Sequence, residues 1–151
     1  MKKHPLTPED HALIAAAIAV SNEPSRELHE EATPVKTVAA LRLDDGQIVT
    51  SVNLRARPSN LAVCAEPIAI AQANRQPERK ITAMVTVMRR QPGAAPKIVP
   101  PCGQCRENLC NYAPDATVIL REPGGSELFN VKASDLLPLR YAEFKIKDEL
   151  I

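Results

Sequence analysis

Three thiols and one carboxylate lie in two short stretches of the chain, Cys64-Ala65-Glu66 and, about 35 residues later, Pro101-Cys102-Gly103-Gln104-Cys105. A Cys-x-x-Cys pair with a third Cys upstream is a zinc-site pattern. Cys102 and Cys105, at i and i+3, share one face of a helix. Each stretch sits where a helix should begin, so both helix dipoles favour anionic thiolates. Three protein ligands leave the fourth tetrahedral position to water, as a catalytic zinc requires. Glu66 is what turns such a metal site into a hydrolytic one. A carboxylate there can take a proton from a water that zinc has acidified, then return it to a ring nitrogen and to a leaving amine. The chemistry expected is attack of water oxygen at the C–NH₂ carbon of an aminated heterocycle, with loss of ammonia. Thiolates donate more charge than imidazoles, so acidification of the water leans on the helix dipoles.

Other readings of the same residues are weaker. A closed four-cysteine zinc knuckle would need Cys110, which lies about 140° around the helix from Cys105 and roughly 7.5 Å along it. Cys110 is expected to be a core residue. A redox role for Cys102 and Cys105 leaves Cys64 and Glu66 without a purpose. His4, His11 and His29 fall in the N-terminal fifth, away from both stretches, and read as surface or packing residues. Gly124-Gly125 lacks the Gly-Lys-Ser/Thr of a phosphate loop and reads as a turn.

The elements that must carry the two stretches follow from the pattern. At 151 residues the chain fits a single domain, 1–151, large enough for a real core. Thr7-Pro8-Glu9-Asp10 reads as a helix start, with an N-cap, Pro at the first position and acids in the first turn. That first helix runs over about 8–20, and 21–34 is an irregular connection. Val35–Leu43 reads as a strand, Asp44-Asp45-Gly46 as a hairpin turn and Gln47–Asn53 as the return strand. A loop at 54–61 leads to a helix over Ala62–Ala73. Ile81–Met88, nearly all apolar, suits a central strand buried on both faces. A Pro/Gly/Ala loop at 91–101 precedes a helix from Cys102 to about Tyr112. Strands at Ala116–Leu120 and Glu127–Val131, a short capped helix near Ser134–Leu137 and a charged tail at 142–151 complete the chain. The order α-β-β-α-β-α-β-β-α implies a three-layer α/β/α sandwich around a mixed five-stranded sheet.

Composition removes several function classes. A net charge of +1, with acids and bases interspersed, gives no electrostatic footprint for nucleic acid. Aromatic residues, at 3%, are too few for a base-stacking platform. The apolar run 12–20 is about half a bilayer span and lacks the layout of a signal peptide, so no membrane partner is expected. Four cysteines without a secretory signal suit a cytoplasmic chain with reduced thiols.

Cys64-Ala65-Glu66 with Pro101-Cys102-Gly103-Gln104-Cys105-Arg106 resembles the small cytidine deaminase family, which includes the blasticidin S deaminases. Gly46–Asn53 is similar to the family's hairpin strand, which ends in an Asn that contacts the ribose. Leu136-Leu137-Pro138-Leu139-Arg140-Tyr141 is similar to its C-terminal segment. The resemblance covers about 34–141. It implies the cytidine deaminase-like sandwich, Zn²⁺ held by Cys64, Cys102 and Cys105, and Glu66 as the proton shuttle. It also implies a nucleoside-like substrate met by Asn53, Arg55, Ala65 and Tyr141, and a homotetramer (or homodimer) whose neighbours complete each site.

Three positions depart from the family pattern. Cytidine deaminases usually carry Glu two residues after the Asn, where this chain has Arg55. A guanidinium only donates, so it cannot accept a hydrogen bond from a sugar hydroxyl. The aromatic that packs on the base is replaced by Val35, while Tyr141 keeps an aromatic at the C-terminal position. Pro67 stands where an Arg commonly tempers the thiolate charge. The catalytic core is kept and the sugar-reading part is altered.

Overall fold

The computed structural model describes residues 1–24 and 35–141. His29 and the charged tail at 142–151 lie outside the described residues. Thr7 caps the first helix, α1 (Pro8–Asn22), in a full capping box: its hydroxyl takes the Asp10 N–H and the Asp10 carboxylate takes the Thr7 N–H. The last turn of α1 has no basic residue of its own. The Lys36 ammonium supplies that charge from the next element, donating to Val20 O at 2.6 Å and Glu23 O at 2.8 Å.

Lys36 opens β1 (Lys36–Leu43), which turns through Asp44-Asp45-Gly46 into β2 (Ile48–Val52). The turn is closed by Gly46 N–H to Leu43 O, and Gly46 sits at φ +87°, where any side chain would be strained. After a short 3₁₀ turn at Ser59–Leu61 come α2 (Ala65–Ala73), β3 (Ile81–Arg89), β4 (Lys97–Ile98) and α3 (Gly103–Tyr112). The chain continues through β5 (Thr117–Arg121) and β6 (Leu128–Lys132). A 3₁₀ turn, Ala133–Leu136, stands where a short α-helix is expected.

The sheet runs β2-β1-β3-β5-β6, mixed because β3 and β5 are parallel and the other pairs antiparallel. It has six strands rather than the five expected. The sixth, β4, is two residues long and pairs with β3 at Val87 and Met88, beyond the Val85 position where β5 stops pairing. Two residues inside a proline-rich loop carry no alternation, so only the open edge of β3 makes them a strand.

Alternate residues of the central strands fill two cores. Ala39, Leu41, Leu43 and Met84 face α2 and α3, while Val38, Ala40, Ala83, Val85 and Val87 face α1. Helices therefore cover both faces, as the nearly continuous apolar run in β3 requires. The layers are α1, the sheet, and the α2/α3 pair.

One polar network crosses this packing. Asp10, 1% exposed, accepts from the Asn130 amide at 2.5 Å and pairs with Arg42 at 3.1 Å, tying α1 to β6 and β1. Burial works to raise the Asp10 pKa, but the hydrogen bonds from Thr7 and Asn130 and the Arg42 charge outweigh it and hold the group below the usual aspartate value. A depressed folded pKa adds stability above the unfolded pKa of about 3.9, and that stability is lost as pH falls through the folded value. Asp10→Asn is expected to cost about 2–4 kcal/mol at pH 7. The gap to wild type should narrow below about pH 4. Thermal melts at pH 7 and pH 3 check this, and an equal gap at both would contradict it.

Candidate metal centre and catalytic site

Cys64 is the N-cap of α2 and Cys102 the N-cap of α3, while Cys105 lies in the first turn of α3. The two helices lie side by side on one face of the sheet, so their N-termini bring the two stretches together. Cys64 Sγ lies 3.9 Å from Cys102 Sγ, and Cys102 Sγ lies 3.3 Å from Cys105 Sγ. All three sulfurs fall within 4.8 Å of one another. Zinc–sulfur bonds of about 2.3 Å at a tetrahedral centre put sulfurs about 3.8 Å apart, so the donor set fits Zn²⁺.

The local charge points the same way. Burial, and then the Glu66 charge, push the Cys105 thiol far up. Burial also raises Cys64. Burial opposes ionisation of Cys102 too, but the Cys105 backbone amide and the neighbouring thiols outweigh it and lower its pKa. Protein groups alone thus resist a triple thiolate, and a divalent cation supplies the charge that stabilises one.

Glu66, at the second position of α2, is 3% exposed. Its Oε1 accepts from Thr86 Oγ1 at 3.2 Å. A cavity of about 250 Å³ opens beside it, with Thr37, Asn53, Cys64, Glu66, Thr86 and Cys102 among its walls. Asn53 Oδ1 accepts the Thr37 N–H at 2.8 Å, which leaves the Asn53 amide nitrogen as the group with hydrogens to donate. Ala65 is fully buried, and its carbonyl takes the Ser51 hydroxyl at 2.6 Å, fixing the first turn of α2 to β2.

The structure thus brings Cys64, Cys102, Cys105, Glu66 and Asn53 to one place. It does not bring Ala65, Arg55 or Tyr141 into the walls of that cavity. Arg55 is half-buried and takes part in none of the ion pairs among the described residues. Tyr141 is 79% exposed. Cys110 is buried on the far side of α3 with its Sγ 3.5 Å from Ala133 O, as the helical angle requires. His4 and His11 are on the surface.

Thr86 and Thr37 join the site without belonging to either motif. A signal existed for Thr86: a hydroxyl inside an apolar strand buried on both faces must find a partner. Nothing in the sequence says that the partner is Glu66.

Comparison with known proteins agrees with this geometry. Residues 8–121 match the family model for the cytidine and deoxycytidylate deaminase zinc-binding region. The chain is 34% identical over 108 residues to a blasticidin-S deaminase of Bacillus cereus, covering 68% of this chain and 74% of that protein. It is 28% identical over 100 residues to a cytidine deaminase of Halalkalibacterium halodurans, covering 66% and 72%. Among solved structures, the cytidine deaminase from Bacillus anthracis superposes with a TM-score of 0.69 at 24% identity, covering 91% of each chain. The cytidine deaminase from Burkholderia pseudomallei gives 0.66 at 28% identity, covering 90% of this chain and 100% of that one.

Proposed function

Because the chain belongs to the cytidine and deoxycytidylate deaminase family of zinc hydrolases acting on C–N bonds, we propose that it deaminates a small free amino-pyrimidine nucleoside or analogue. The observation that carries this reading is a buried carboxylate, Glu66, on the same helical turn as a thiol of a three-thiol cluster and in the wall of one cavity. Cys64, Cys102 and Cys105 would hold zinc, which would act as a Lewis acid toward a water molecule. Glu66 takes the water proton and delivers it to the ring nitrogen, and a second proton leaves with the amine as ammonia. The balance is water plus N=C–NH₂ giving HN–C=O plus NH₃. Asn53, its carbonyl occupied by the Thr37 N–H, donates to an oxygen of the substrate. The cavity, at about 250 Å³, lies just below the range of about 300–1,000 Å³ usual for ligand sites, which favours a small free molecule.

A second reading has its own support. Arg55 follows Asn53 by two positions, next to Leu54, which bridges Val63 in the cavity wall. Donors at both positions favour a substrate with acceptor oxygens, such as a carboxylate or a modified sugar, as in a blasticidin S-like nucleoside. Arg55→Glu restores an acceptor for the ribose and should raise kcat/KM on plain cytidine about 10- to 100-fold, the worth of one charged hydrogen bond. A parallel assay on cytidine, deoxycytidine and a carboxylate-bearing cytosine nucleoside checks it. Unchanged turnover of cytidine sinks the specificity role.

The working unit in this reading is a homotetramer or homodimer. Leu54, in the cavity wall, is 59% exposed, Leu61, beside the cavity-lining Ala62 and Val63, is 60% exposed, and Tyr141 is more exposed still. Apolar groups so placed suit a neighbouring subunit. Light scattering showing a monomer at micromolar concentration would remove this part. Among the described residues no helix is long and apolar enough to cross a membrane. A cytoplasmic setting, which keeps thiols reduced, suits the ligand set.

A further inference from the structure

We propose that Thr86 is a positioning residue that holds the Glu66 carboxylate in its working orientation, an inference that rests on the reading of Glu66 as proton shuttle. Thr86 lies on β3, the central strand, and is 2% exposed. Its neighbours along the strand are Val85 and Val87, both turned to the other core, so its hydroxyl is the polar group this face of β3 sends toward α2. The side chain is β-branched and stiff about χ1, which fixes the direction of Oγ1 once the strand is formed. Its one hydrogen goes to Glu66 Oε1 at 3.2 Å. Oε2 takes no hydrogen bond among the described residues, and the carboxylate lines the cavity. One oxygen is thus tethered, and the other remains for water and substrate.

The same residue reaches the metal side through its backbone. Thr86 O accepts the Val99 N–H at 3.0 Å, directly after β4 and three residues before Cys102. Its partner across the sheet in β1 is Ala39, a core residue with no exposure. The strand segment that carries the hydroxyl is therefore clamped between β1 and the approach to Cys102. A Glu side chain has three torsions to order, and a rigid donor removes that freedom before substrate arrives. A displacement of about 1 Å at a proton-transfer group can cost about 100-fold.

Zinc-loaded Thr86→Val, an isostere without the hydroxyl, is expected to lose roughly 10- to 100-fold in kcat while KM changes less than about twofold. Zinc should stay at one per chain, and Thr86→Ser should return kcat to within about threefold of wild type. In the Glu66→Gln background, Thr86→Val should add nothing further, because the two act as one unit. A crystal structure of the zinc-loaded Val variant should show the Glu66 carboxylate turned away or in several rotamers. If the Val variant does not fold, Thr86→Ala against Thr86→Ser makes the same hydroxyl comparison. Wild-type kcat in the Val or Ala variant overturns the proposal, as does a full additional loss on top of Glu66→Gln. A Ser variant as poor as Val overturns it too. If Glu66→Gln itself remains active, the shuttle reading has failed instead, and the two failures are told apart.

Discussion

Glu66→Gln is expected to lower kcat by between about 100- and 10 000-fold and to leave zinc binding unchanged. The substitution keeps the shape of the side chain and its acceptor oxygen for Thr86, which donates to Oε1 at 3.2 Å. It removes only the capacity to hold and return a proton. Glu66 is 3% exposed and is not among the three clustered sulfur ligands, so neither the surface nor the metal set changes. Because the proton is moved in the reacting complex, the loss should fall on kcat rather than on KM. Ammonia release that survives Glu66→Gln or Glu66→Ala would favour a different reading, in which the chain is a zinc-stabilised binding protein of the same fold.

Cys105→Ser should have a larger effect still, abolishing zinc binding and activity together. Cys105 has no exposure and lies 3.3 Å from Cys102 Sγ in the first turn of α3. A hydroxyl there is a far poorer ligand for zinc than a thiolate, and the two remaining sulfurs do not close a site. The fold should survive, because two cores independent of the metal flank the sheet. Its stability should fall, since free zinc at 1,000 times its Kd stabilises the loaded state by about 4.1 kcal/mol. Metal analysis with thermal denaturation reads both effects. Chelator-treated wild type should melt where Cys105→Ser melts. Cys110→Ser, on the far side of α3, should keep its zinc. One zinc per chain in Cys105→Ser would contradict the ligand assignment.

Both results concern residues that the amino-acid sequence alone makes legible. Cys64-Ala65-Glu66 and Cys102-Gly103-Gln104-Cys105 are local patterns on the first turns of helices, and helical geometry sends Cys110 elsewhere. The central strand and its helices on both sides are legible because β3 is apolar at nearly every position. Residues joined over long separations are not. Asp10 meets Arg42 and Asn130 across 32 and 120 positions, and no local periodicity encodes such a pairing. Thr86 is hidden for a related reason, since its partner Glu66 lies 20 positions away on another element. Strand β4 reads as loop because two residues cannot show alternation, and β3 recruits them through its open edge. Arg55 and Tyr141 mark the other limit. A motif can match a position to a family pattern, but the direction of a long side chain follows from its packing, and both stand outside the cavity in this single chain.

Turnover in ¹⁸O-labelled water tests hydrolytic deamination at the Glu66 cavity. The zinc-loaded protein is incubated with a panel of amino-pyrimidine nucleosides, and ammonia and the keto product are measured together. One solvent oxygen is expected in the product for every ammonia released, with both signals lost in Glu66→Gln. No ammonia from any amino-heterocycle with one zinc bound per chain, or ammonia without solvent oxygen in the product, would contradict it.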